Sequence, residues 1–228
     1  MAKAVEKGII AYDLVNIRDF AHDRHHTCDD APYGGGAGQL LLPEPLGLAL
    51  DSVEAYKKTK HVIYVTPSGK PFTQRKAQEL SQKDEVVLVC GRYEGIDQRI
   101  IDYYVDEEIS IGDYVMSSGE LAATVIVDAV YRLVDGVITH ESLDEESFSD
   151  NLLEYPQYTR PNVYKGMEVP SVLSSGNHEE IRKWRLRKSL QKTLKNRPDL
   201  IQTARMTGTL TDEAEEMIEE GKREPPCR

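Results

Sequence analysis

Val86-Val87-Leu88-Val89 is an unbroken apolar run, mostly β-branched, that leads straight into a glycine-punctuated turn, Cys90-Gly91-Arg92-Tyr93-Glu94-Gly95-Ile96-Asp97. A strand with one wet face alternates apolar and polar residues. A continuous run calls for cover on both faces, the condition of a parallel sheet flanked by helices. Its surroundings repeat the theme. A strand over His61 to Thr66, a turn at Pro67-Ser68-Gly69, a helix from about Thr73 to Gln82, the strand Glu85 to Cys90 and a helix from about Gly95 to Val105 alternate as βαβ units do. A second glycine turn, Ser110 to Gly119, then precedes a helix over about Glu120 to Val134. The fold class expected is α/β with a parallel sheet. Ahead of this block lie a short strand-like run (Ile9 to Val15), a polar glycine-rich loop (His22 to Gly38) and a helix from about Glu44 to Thr59.

Composition changes after this block. Thr139 to Asp150 is rich in Glu, Asp and Ser, with Leu143 and Phe148 its only large apolar residues, which reads as a linker. Beyond Leu152 there are helix signals and loop prolines but no strand-like runs. The organisation expected is therefore residues 1–138 as an α/β domain, 139–151 as a flexible linker and 152–228 as a small all-helical domain. The formal net charge of −11 argues against a nucleic-acid partner when taken as a sum. Its distribution argues otherwise: Arg182 to Arg197 holds eight basic residues and no acidic one, with Ile181, Trp184, Leu186, Leu190 and Leu194 at roughly helical spacing. That is a basic amphipathic helix, either a solvated face or a phosphate-binding one. Asn177 or Ser175 caps it, and Thr211 caps a last acidic helix over Asp212 to Glu220.

The glycine turns are candidate ligand sites, because a residue without a Cβ lets backbone approach a bound molecule and frees its N–H and C=O groups. Glu94 and Asp113 in these turns either receive ribose hydroxyls or a cation, or cap the next helix. His22-Asp23-Arg24-His25-His26-Thr27-Cys28-Asp29-Asp30 holds metal-ligating side-chain types, but adjacent His-His and Asp-Asp pairs do not match usual ligand spacing, so no metal site is expected. Pro32-Tyr33-Gly34-Gly35-Gly36-Ala37-Gly38 suits a planar base or sugar-phosphate held against backbone. No GxSxG, Walker A or GxGxxG signature is present. Three scattered cysteines, no membrane-length apolar run and no signal-peptide pattern point to a cytoplasmic protein.

One set of motifs carries more than composition. His22-Asp23-Arg24-His25, Asp29-Asp30, Pro32 to Gly36, Cys90 to Asp97, Ser110 to Val115, Pro156-Gln157-Tyr158-Thr159-Arg160-Pro161, Gly166-Met167-Glu168-Val169-Pro170 and Ser175-Gly176-Asn177-His178 together closely resemble the bacterial tRNA (guanine-37-N1)-methyltransferases, in order over almost the whole chain. The resemblance implies a SPOUT-class domain with a C-terminal trefoil knot, a flexible linker and a helical tRNA-binding domain. It also implies a homodimer with its sites at the subunit interface, and methyl transfer from S-adenosylmethionine to N1 of guanine 37 in the anticodon stem-loop of tRNA, supporting reading-frame maintenance. Mg²⁺ enters only as a non-structural ion.

By the same resemblance, Thr66, Pro67, Gly91, Tyr93, Glu94, Ile111, Gly112, Tyr114, Met116, Ser118 and Gly119 bind the cofactor, with main-chain groups of Ile111, Tyr114 and Met116 reading adenine. His22, Asp23, Arg24, His25, Tyr33, Arg92, Asn177, His178, Arg182, Arg185 and Lys188 face RNA. Glu146 stands at the general-base position, supplied by the partner's linker, Arg132 stabilises charge developing on guanine O6, and Glu94 joins them in catalysis. The pattern departs from the family at three places. Glu146 stands where the family usually has Asp, one methylene shorter. Ser118 replaces a glycine, tolerable if its φ is negative. The family's first strand, ahead of the position matching Ala2, has no counterpart here: either translation begins further upstream, or one strand of the sheet is lacking, in which case lower stability and a perturbed pocket floor are expected. That opens an alternative, an RNA-binding relative with reduced or lost catalysis.

Overall fold

The computed structural model describes residues 1–57, 59–138, 147–148 and 151–223. The chain divides into two compact units, Met1–Ile138 and Thr139–Arg228. No described helix is long and apolar enough to cross a membrane.

The first unit contains α1 (Ala2–Glu6), a small antiparallel pair of β1 (Asp29–Asp30) with β2 (Leu40–Leu41), and α2 (Pro43–Ser52). Its centre is a three-stranded parallel sheet of β3 (His61–Pro71), β4 (Val86–Cys90) and β5 (Glu107–Ser110), in the order β4-β3-β5. The crossovers carry α3 (Gln74–Ser81) and α4 (Gln98–Tyr104), and α5 (Gly119–Tyr131) follows β5. Successive side chains of a strand point to opposite faces, and both faces here are covered. Val62, Tyr64 and Val89 pack against Leu46 and Leu50 of α2 and Ile100 and Tyr104 of α4. Ile63, Val65 and Ile109 pack against Leu80 of α3 and Ala122, Ala123 and Ile126 of α5. Two-sided burial is what the unbroken apolar run required. Each fully buried Ile or Val contributes about 1.5–3 kcal/mol relative to exposure.

Four expectations are corrected. Ile9 to Val15 forms no strand, because no ladder pairs it, and Tyr12, Leu14 and Val15 stay exposed. The helix expected to reach Thr59 stops at Ser52, where Glu54 takes a left-handed φ of 56° and a 3₁₀ turn, Ala55–Lys57, follows. The α4 helix starts at Gln98 because the Asp97 carboxylate accepts the Arg99 N–H at 2.9 Å as its N-cap. The strand expected to end at Thr66 resumes: Ile109 pairs first with Val65 and then with Lys70, so Thr66 to Gly69 bulge out of the ladder between them.

The second unit packs α6 (His178–Asn196), α7 (Pro198–Thr207) and α8 (Asp212–Arg223) around Leu190, Ile201, Ala214 and Ile218. Asn177, not Ser175, caps α6: its Oδ1 accepts the Glu180 N–H at 3.3 Å, while the Ser175 hydroxyl accepts the Asn177 N–H at 3.1 Å. Thr211 Oγ1 accepts the Ala214 N–H at 3.2 Å at the start of α8. This unit is not all-helical. β6 (Val163–Tyr164) and β7 (Met167–Glu168) form a hairpin, closed by Lys165 and Gly166 at φ 51° and 77°, the paired left-handed residues of a tight two-residue turn.

One ionic cluster ties β3 to β5 and α3. Glu107 Oε1 lies 2.6 Å from His61 Nε2, and Glu107 Oε2 lies 3.2 Å from Lys76 Nζ. Burial pushes the Glu107 carboxyl up, but the hydrogen bonds from His61 and Lys76 outweigh it and hold it below its usual value. A depressed carboxylate stabilises the fold above its unfolded pKa, and that contribution is lost as pH falls through the folded value. Melting the parent and Glu107→Gln at about pH 7 and about pH 3.5 is expected to show the parent more stable at neutrality and the gap closing in acid. A gap independent of pH contradicts this assignment.

Candidate functional site

Three connections at the C-terminal ends of the parallel strands meet around one cavity of about 190 Å³. Tyr64, Val65, Thr66 and Pro67 line it from the β3 bulge, Gly91 to Gly95 from the loop after β4, and Ser110 to Gly112, Tyr114 to Gly119 and Ala122 from the loop and helix after β5. Open α/β sheets bind ligands at this edge. Every residue expected to bind cofactor is therefore in the lining: Thr66, Pro67, Gly91, Tyr93, Glu94, Ile111, Gly112, Tyr114, Met116, Ser118 and Gly119.

The loops are held by close contacts that leave no space for a Cβ at three of their glycines. A Cβ on Gly69 would stand 2.5 Å from the Ile109 nitrogen and 2.6 Å from the Glu108 carbonyl carbon. One on Gly91 would meet the buried Tyr64 hydroxyl at 2.9 Å, and one on Gly119 would meet Cys90 Cα at 3.0 Å. The Gly119 N–H donates to the Gly91 carbonyl at 2.9 Å, and Arg92 bridges Ser118, so the second and third loops are stitched together. Ser118 has φ −161°, extended backbone that any residue adopts, and serine in the place of glycine carries no conformational cost here.

Inside the third loop, the Ser110 hydroxyl donates to the Gly112 carbonyl at 3.1 Å and accepts the Gly112 N–H at 3.2 Å. The Tyr114 N–H donates to the Gly112 carbonyl at 2.9 Å, and the Tyr114 hydroxyl donates to the Ile111 carbonyl at 3.3 Å. Two main-chain groups expected to read adenine are thus held in local bonds, while Tyr114 itself is half exposed. Burial pushes the Tyr64 hydroxyl up, and burial with the nearby Glu120 charge pushes the Cys90 thiol to about 11. The hydrogen bond from Ser118 holds Glu120 below its usual value, with Arg92 helping.

The glycine-rich loop reaches the rim of this cavity. The Glu94 N–H donates to the Gln39 carbonyl at 3.0 Å, the Leu41 N–H donates to the Gly95 carbonyl at 3.0 Å, and Gly38 packs on the Glu94 side chain. Tyr33 at its other end is fully exposed. His22, Arg24 and His25 are exposed as well. Asp23 is a turn former: its carboxylate accepts the His25 N–H at 2.9 Å, the Thr27 N–H at 2.6 Å and the Thr27 hydroxyl at 2.9 Å. These bonds, the Thr27 N–H first, hold it below the usual carboxylate range.

Arg132 does not join the cavity. It is the C-cap of α5, about 20 Å along the axis from Gly119 at 1.5 Å per residue. Glu146 lies outside the described residues. In the second unit, part of the positive charge of α6 is paired with groups on α6 itself and on α8. Arg182 bonds both Glu179 and Glu213, Arg187 pairs with Glu220 at 3.6 Å, and the Arg185 guanidinium sits 4.8 Å from the Tyr155 ring centre. Lys188 donates to Gln191 at 3.2 Å, Asn177 is a helix cap, and exposed His178 opens α6. Sequence reasoning missed Tyr64, Val65 and Ala122 as lining, while Ser110, Val115 and Ser117 fell within the second glycine turn without being singled out. Their only signal is position, at the ends of strands or beside glycines already singled out.

Comparison with known proteins agrees with this arrangement. Residues 1–203 match the family model described as tRNA (Guanine-1)-methyltransferase TrmD. The chain is 70% identical over 224 residues, 98% of its own length and 91% of the relative's, to a protein of Treponema denticola named tRNA (guanine-N(1)-)-methyltransferase. Relatives of the same name in Treponema pallidum, at 60% identity over 96% of this chain and 87% of theirs, and in Borreliella burgdorferi, at 59% over 88% and 84%, extend the likeness. With three strand-end loops closed on one cavity and a family match over most of its length, the chain belongs to the tRNA (guanine-1)-methyltransferase TrmD family.

Proposed function

We propose that this chain transfers a methyl group from S-adenosylmethionine to N1 of guanine 37 in the anticodon stem-loop of tRNA, as an enzyme active in a homodimer. The observation that carries the reading is the convergence of the three glycine-bearing loops of a family member on one cavity. The residues present fit the cofactor. A Cβ at Gly91 or Gly119 would break the loop contacts that shape the cavity, and the buried polar lining of Thr66 and Ser110 offers hydroxyls beside freed backbone. A ligand that takes the Ile111 carbonyl displaces the Tyr114 hydroxyl, a small cost for a half-exposed side chain. Threading of the third loop as a trefoil knot is part of this reading.

S-adenosylmethionine supplies an electrophilic sulfonium methyl when bound. Guanine N1 carries a proton at neutral pH, so a base must remove it before N1 can attack. Glu146 takes that proton, and Arg132 faces the negative charge that develops on O6. Arg132 lies ten residues along α5 from the lining residue Ala122, about 15 Å by helix rise, which favours its presentation by a second copy, alongside Glu146 from the partner's linker. Leu121 and Val125 on α5, and Tyr114 and Val115 in the third loop, are all exposed apolar side chains available to such a pairing. Glu94 and Arg92 at the rim contribute to holding the guanine, and His22 to His25, Tyr33, Asn177, His178, Arg182, Arg185 and Lys188 to holding tRNA. Mg²⁺ accompanies the RNA as a non-structural ion. The alternative of an RNA binder without turnover is not favoured, since Ser118 sits without strain and the cavity is formed.

Calorimetry with S-adenosylmethionine tests the cofactor half of the reading. Saturable binding is expected, weakened tenfold or more, about 1.4 kcal/mol, in Gly91→Ala. Absence of binding in the parent sinks it.

A further inference from the structure

The hairpin of the second unit is unused by the site described so far. Cross-strand partners share one face of a two-stranded ribbon, and Tyr164 pairs with Met167. Both are more than half exposed, at 58% and 66%, although large apolar side chains on so small an element gain nothing by standing in water. Lys165, in the turn, places its Nζ 5.4 Å from the centre of the Tyr164 ring and makes no ion pair among the described residues. The turn chemistry is also against it. Both central residues have φ above zero, a conformation that Asn or Gly adopts readily and lysine does not. A residue kept at a strained position beside an exposed ring signals use.

We propose that this hairpin tip, Tyr164 with Lys165 and Met167, is an RNA contact: an unpaired base of the tRNA stacks on Tyr164 and Met167 while Lys165 meets a neighbouring phosphate. The inference rests on the tRNA reading above. An aromatic face with a cation at its edge is the pattern by which single-stranded segments are held, base on ring and phosphate on ammonium. A protein partner fits less well, because a two-residue ribbon offers far less than the roughly 800 Å² per side that specific protein interfaces bury. Part of the basic surface of the same unit is already charge-paired: Arg182, Arg187 and Arg197 are tied to Glu213, Glu220 and Asp199.

Full-length parent, Tyr164→Ala and Lys165→Asn are to be compared in binding to a whole tRNA transcript over a series of salt concentrations, and in methyl transfer to it. Lys165→Asn suits the turn, so it keeps or raises the melting temperature. It is expected to weaken tRNA binding and reduce the log-log salt slope by about one. Tyr164→Ala is expected to raise KM for tRNA about 5- to 100-fold, the range for one stacked base, with kcat and S-adenosylmethionine binding unchanged. Methylation by the parent with both variants matching it in KM and salt slope overturns the hairpin contact. If the variants bind tRNA more weakly while the parent transfers no methyl, the contact stands and the enzymatic reading fails.

Discussion

A Gly69→Ala chain will melt roughly 2–12 °C below the parent, and its binding of S-adenosylmethionine will fall tenfold or more. The added Cβ would lie within 2.7 Å of the Ile109 nitrogen and of the Glu108 carbonyl carbon and oxygen. All three belong to a buried strand, so no rotamer change relieves the clash and β3 must separate from β5. Overpacking of this kind costs about 1–3 kcal/mol. Thr66 and Pro67 of the same bulge line the cavity, which couples the stability loss to the ligand. Gly47 gives the contrast. Its Cβ would meet Ile100 Cδ1 at 3.6 Å and the Tyr104 hydroxyl at 3.7 Å, ordinary contacts. It lies inside α2, where alanine is favoured over glycine by up to about 1 kcal/mol. Gly47→Ala is therefore expected to keep or raise the melting temperature. Equal melting temperatures for Gly69→Ala and the parent would mean the bulge is not packed as described.

The second large effect concerns which copy owns which residue. Arg132→Ala and Gly119→Val are each expected to lose methyl transfer by a hundredfold or more, the first through lost charge stabilisation. The second loses it through a side chain forced against Cys90 Cα and the Gly91 nitrogen, both 3.0 Å from the Cβ position. Mixed and allowed to exchange subunits, they should recover roughly a quarter of parental activity: half the dimers are mixed, and one of two sites in each has an intact cavity and an intact Arg132 from the other copy. No recovery after verified exchange contradicts the shared site and requires Arg132 to act, if at all, within its own chain.

How far the residues alone led depended on whether the signal was local. The run Val86 to Val89 announced a strand covered on both faces, and the structure covers it with α2 and α4 on one side and α3 and α5 on the other. The cavity-lining glycines could be named because a missing Cβ is written in the sequence, whereas Tyr64 could not: its role comes from lying under Gly91 and Gly95, a tertiary fact. The hairpin at Val163 to Glu168 escaped for the opposite reason, its strands being too short for any period to show. Charge could be read only in part. The basic run from Arg182 to Arg197 left a solvated and a phosphate-binding face open, and acids distant in sequence, Glu213 and Glu220, pair with Arg182 and Arg187. Such pairs are invisible until α8 is placed against α6. Ile9 to Val15 shows the limit of propensity, since a strand forms only where a neighbour offers its ladder.

The most direct test of the enzymatic reading is single-turnover transfer of a labelled methyl from S-adenosylmethionine to a tRNA transcript with G37 and to the same transcript with A37, using the parent chain and Glu146→Gln. The expected result is methylation at N1 of G37, none of the A37 transcript, and a rate at least a hundredfold lower in Glu146→Gln with cofactor binding intact. Equal labelling of both transcripts, or no transfer by a parent that binds both cofactor and tRNA, would contradict it.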